Sequence, residues 1–96
     1  MKNMVDYAKV VKVEFSGMEC EWLVHKLVAL VEAERKVVLN HQMVDGGGMG
    51  RAYYDGKFKM KLYGGMIEKI QEAVGYKWVE DVRSLYGDVK WYSDSE

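Results

Sequence analysis

Residues 55–63 read Asp55-Gly56-Lys57-Phe58-Lys59-Met60-Lys61-Leu62-Tyr63. Asp-Gly is a preferred two-residue hairpin turn, because both residues tolerate positive φ. Phe58, Met60 and Leu62 then alternate with Lys57, Lys59 and Lys61. Period two is the signature of a strand with one dry face and one basic face. The stretch therefore predicts an antiparallel strand over 57–63, paired back on 51–54.

Outward from this hairpin, 7–15 reads as a strand with Val11, Val13 and Phe15 on one face. Ser16-Gly17-Met18-Glu19 matches a capping box, with the Ser16 hydroxyl and the Glu19 carboxylate each serving the other's amide. Cys20, Leu23, Val24, Leu27, Leu30 and Val31 recur at helical spacing, so a helix follows and should end near Lys36. The β-branched stretch 37–44 reads as a strand, and 45–50 as a Gly-rich loop. After Gly64-Gly65, the residues Met66, Ile67, Ile70, Ala73 and Val74 mark a second helix, with Gly75 as its stop. Strands over 76–83 and 89–92 complete the reading. The order is β-α-β-β-β-α-β-β. The expected fold class is α+β: two helices on one face of a mostly antiparallel sheet, a ferredoxin-like variant in one domain over 1–96, with 93–96 a frayed tail.

The 96 residues are 49% hydrophobic and carry a formal net charge of −1. That is a globular composition, and it lacks the basic excess of a general nucleic-acid coat. Charge is uneven: residues 1–63 hold 10 Lys/Arg against 8 Asp/Glu, and residues 64–96 hold 4 against 7. A lone Cys20 gives no internal disulfide. No apolar run is long enough for a membrane span, and the first residues show no signal-peptide core. A soluble, cytoplasmic protein without membrane association is expected.

If 51–54 runs down and 57–63 returns, the Gly-rich segments meet at one edge of the sheet. Gly46, Gly47, Gly48, Gly50, Gly64 and Gly65 would then line a pocket beside two helix N-termini, with Arg51 as charge partner and His41 nearby. That arrangement suits a nucleotide-like or other anionic ligand. Gly48-Met49-Gly50 lacks the third glycine and the following helix of a dinucleotide fingerprint, and Gly56-Lys57-Phe58 lacks the hydroxyl of a P-loop. The Lys57, Lys59 and Lys61 face suits single-stranded nucleic acid, or guards a strand edge. His25 lies four residues after Glu21 and reads as a surface residue. Cys20, His25 and His41 do not make a metal-ligand spacing, so no metal or cofactor is implied.

Three Trp and seven Tyr are a heavy aromatic load for this length. Trp22, Met49, Tyr53, Tyr54, Trp78 and Trp91 are candidates for a partner-binding surface, since aromatics and Met are enriched in interface cores. Nothing assembles a nucleophile, a base and an orienting group, so catalysis is not expected. The leading expectation is a non-enzymatic binding or regulatory protein with a protein partner, such as an inhibitor of the kind phages and mobile elements carry. A homodimer through an edge strand is one expected form. The anionic-ligand binder and the nucleic-acid binder stand as alternatives.

Overall fold

The structure, a computed structural model, describes residues 4–44 and 51–89. Two long helices dominate it: α1, Gly17–Val44, and α2, Arg51–Val74. A short 3₁₀ turn, Val82–Tyr86, follows. No strand occurs among the described residues. The expected α+β, ferredoxin-like sheet is therefore replaced by a helical hairpin with a C-terminal turn packed on it.

Sequence spacing explains the hairpin. Val24, Val31 and Val38 are buried at seven-residue intervals on α1, with Leu27 between them. Tyr53, Met60 and Ile67 repeat the interval on α2, and all belong to one core. Such spacing lays each set along one side of a helix. The helices run antiparallel. Val38 and Glu34, late in α1, lie against Gly56, early in α2, while Gly17 and Cys20 share a groove with Ile70, Ala73 and Val74.

Two helix-interior glycines set how closely the elements approach. A Cβ on Gly56 would collide with the Val38 side chain and lie 3.7 Å from the Glu34 carbonyl oxygen. A Cβ on Gly64 would collide with the Tyr86 hydroxyl and come within 3.2 Å of Val82. Gly56 is thus not a hairpin turn, and the Asp55-Gly56 reading is overturned by packing. The residues 51–66 include no Val, Ile or Thr but many strong helix formers, so local propensity favours helix apart from the glycines. Met60 points inward while Phe58 and Leu62 point outward. The alternation of 57–63 is therefore split between two opposite helix faces.

The expected strand at 37–44 continues α1, because Val38 completes its buried series. Segment 7–15 forms no strand; it is an exposed arm, started by a turn in which the Lys9 amide donates to the Asp6 carbonyl at 3.0 Å. Segment 76–83 is a bend leading into the 3₁₀ turn. The expected strand at 89–92 and the tail 93–96 reach beyond the described residues.

The local signals hold. The Ser16 amide donates to Glu19 Oε1 at 2.8 Å and the Glu19 amide to Ser16 Oγ at 3.2 Å, a complete capping box. Gly75, at φ 83°, ends α2, and its amide and that of Tyr76 both reach the Gln71 carbonyl. The buried Gln71 amide then clasps one backbone residue. Its Oε1 accepts from the Val79 amide at 2.7 Å and its Nε2 donates to the Val79 carbonyl at 3.2 Å. Asp81 caps the 3₁₀ turn, accepting from the Arg83 amide at 3.1 Å.

Two outcomes test this packing. Gly56→Ala and Gly64→Ala should each cost about 1–3 kcal/mol by overpacking, whereas Gly65→Ala, with nothing near its added Cβ, should gain up to about 1 kcal/mol; urea denaturation reads all three, and equal effects would contradict the close approach. The second concerns pH. Lys59 is held above its ordinary pKa by its hydrogen bond to Asp55 at 3.1 Å, with the Asp55 and Glu34 charges adding. Tyr86 is also raised, by burial and then by the Glu68 charge. Both groups bind their proton more tightly folded than unfolded. Their contribution is complete below the ordinary values and is lost as pH rises through the raised ones. The melting temperature should fall above about pH 10, and Tyr86→Phe should flatten part of that fall.

Candidate functional site

The capping box fixes the start of α1, and with it the side chains of its first turns. Phe15, Met18, Glu19, Trp22 and Leu23 line an open, largely apolar hollow of about 350 Å³. Met18 is 80% exposed and Trp22 59%. The Lys26 ammonium lies 5.2 Å from the centre of the Trp22 ring, a cation–π contact that restrains the indole without covering its outer side. Trp22 lies opposite the buried Val24–Val31–Val38 side of α1, so this patch is separate from the hairpin core. Leu30 and Val37 are also exposed further along α1.

A second exposed row lies on α2. Tyr54, Phe58, Leu62 and Met66 follow one another at four-residue intervals, the spacing of one helix face. Counted at period two, Phe58 and Leu62 share a core face with Met60. Scoring the same residues at 100° per residue places them opposite Met60 and Ile67.

The anionic-ligand constellation does not assemble. Gly46, Gly47, Gly48 and Gly50 lie outside the described residues. Gly64 is buried under Tyr86 within α2, and Gly65 is its helical neighbour, so neither is a loop. Arg51 is exposed at the first position of α2; thirteen residues of helix put it roughly 20 Å from Gly64. His41 is half-buried near the end of α1. A cleft of about 520 Å³ near the C-terminal end of α2 is lined by Glu68, Glu72, Glu80 and Asp81 with Lys77 among others. That sign repels an anion.

Nor do the lysines form a row. On a helix, steps of two residues rotate side chains by about 200°. Lys57 is buried, donating to the Tyr53 hydroxyl at 3.3 Å, with its ammonium 4.7 Å from the Tyr53 ring centre. Lys59 pairs with Asp55 and Glu34. Lys61 is exposed.

The partner-binding candidates divide. Trp22 and Tyr54 face outward. Tyr53 is core, meeting Tyr54 edge-on at 5.1 Å. Trp78 is half-buried and meets Tyr76 edge-on at 5.2 Å. Met49 and Trp91 lie outside the described residues. His25, exposed, lies 3.7 Å from Glu21. Among the described residues no group of three His, Cys, Asp or Glu side chains is placed to hold a metal ion, and no helix is long and apolar enough to cross a membrane.

Comparison of the chain with known protein families, with curated proteins and with solved structures gave no match.

In a Trp91→Phe background, the emission of Trp22 should be red-shifted and readily quenched by acrylamide, and that of Trp78 bluer and better protected. Trp22→Phe should remove the quenchable component. Equal quenching of the two indoles would contradict these placements.

Proposed function

We propose that the protein is a small, non-enzymatic binding or regulatory protein that acts by docking a protein partner onto the hollow formed by Phe15, Met18, Trp22 and Leu23. The observation that carries this reading is the exposure of a Trp and a Met around a fixed concave surface. A large aromatic beside a flexible thioether supplies contact area with little entropy to lose and some capacity to adapt. Interface energy concentrates on such anchors. The capping box supports the reading by holding the hollow in place before any partner arrives, which lowers the ordering cost of binding. The occupant fitting this chemistry is an apolar side of a partner's helix or extended segment.

The experiment is site-specific photo-crosslinking in cells that make the protein. A benzoyl-phenylalanine at position 18 should give a discrete adduct, and one at the exposed position 77 should not. Trp22→Lys, with helicity unchanged by circular dichroism, should abolish the adduct; loss of a central Trp anchor costs about 2 kcal/mol or more, roughly thirtyfold in affinity. Adducts equally frequent at 18 and 77, or none at either, would overturn the proposal.

A further inference from the structure

The arm preceding α1 reads Lys9-Val10-Val11-Lys12-Val13-Glu14-Phe15. Its composition is that of a strand, yet it has no regular structure and is exposed throughout: Val10 is 90% exposed, Val11 66% and Val13 67%. Among the described residues no backbone hydrogen bond engages residues 10–15. Six successive residues thus present unpaired amides and carbonyls along a β-branched segment, the condition that recruits a second strand.

The order of side chains identifies that strand. In an antiparallel pair, residues directly opposite have numbers that sum to a constant. Pairing this segment with itself about Val13 sets Val11 opposite Phe15 and Lys12 opposite Glu14, each twice, with Val13 opposite its own copy. Val11, Val13 and Phe15 then form one apolar face, and Lys12 and Glu14 form ion pairs on the other. β-Branched against aromatic and acid against base are favourable cross-strand pairs. The segment is complementary to itself in this register.

A platform for the apolar face is in place. Residues 11–15, Lys12 and Glu14 included, border an open groove of about 880 Å³ that also takes in Cys20 and, from the end of α2, Lys69 and the apolar Ile70, Ala73 and Val74; pairing about Val13 would seat the Val11, Val13 and Phe15 face on those apolar residues. A two-stranded ribbon alone is marginal in water and needs such a surface beneath it.

We propose that two copies of this chain associate through their arms, residues 11–15 of each forming an antiparallel β-ribbon across a two-fold axis at Val13, seated on the groove between the start of α1 and the end of α2. The strand exists only between copies; among the described residues the single chain has none. This does not rest on the docking reading above, and it survives if that reading fails.

Sedimentation velocity on the full chain should show a dimer. Lys12→Glu and Glu14→Lys each replace two attractive pairs by two repulsive ones, and each should weaken the dimer about tenfold or more. The Lys12→Glu/Glu14→Lys double variant should regain it, and mixing the two single variants should give a heterodimer. With Cys20→Ser to remove the native thiol, Val13→Cys should form a disulfide-linked dimer readily and Val10→Cys should not, because Val10 faces Ser16 of the other copy in this register. A parallel pairing would link both positions and overturn the register. A chain monomeric at about 100 µM, or a dimer indifferent to all three charge variants, would overturn the proposal.

Discussion

The fold depends on how closely two helices lie along one seam. Val24, Val31 and Val38 meet Tyr53, Met60 and Ile67, and a side chain on Gly56 would hold the helices apart at the Val38 end. Helix-interior glycine costs up to about 1 kcal/mol in propensity. Here the cost is offset where it falls, because the space it opens is filled by Val38. Gly64 does the same for the C-terminal turn, admitting Tyr86 and Val82 onto α2. With the seam placed there, Phe58, Leu62, Trp22 and Met18 have nowhere to go but outward.

Polar groups inside this small core are kept few and are provided for. Lys57 is buried with its ammonium over the Tyr53 ring and bonded to its hydroxyl, so the charge meets an electron-rich face as well as an acceptor. No buried side-chain nitrogen or oxygen among the described residues lacks a hydrogen-bond partner. The outer surface is less economical. Apolar rows on both helices stay exposed, and these are the surfaces that the proposed interaction role would cover.

The sequence was readable where its signals are local and misleading where tertiary packing decides. The capping box at Ser16 and Glu19 and the stop at Gly75 involve residues within a few positions of each other, and both stand in the structure. The first helix was recognisable from Cys20 to Val31, but its end was not: Val37 and Val38 look like strand residues until Val38 is counted as the third member of a seven-residue series. Lys57 to Tyr63 misled for a sharper reason. Alternating apolar and Lys residues satisfy period two, yet every second apolar residue also falls on an i, i+4 row, and only the presence of an opposing helix decides between the two. The Gly-rich pocket failed with it, since its geometry required 51–54 to be a strand. Of the proposed partner surface, Trp22 was legible as a residue off the apolar centre of its helix. The part played by Met18 and Phe15 beside it was not, because their grouping depends on where the arm enters α1.

Gln71 shows how narrowly one position can be specified where a helix end meets a bend. Its side chain supplies both the acceptor and the donor that a neighbouring strand would have offered to Val79. Glutamate has the length but, once ionised, no proton to donate. Asparagine has both functions but falls one methylene short. An apolar residue of equal size would leave the Val79 amide and carbonyl without these bonds. Homologous chains that keep the bend after Gly75 should therefore keep this one amide, while the exposed residues around it drift freely.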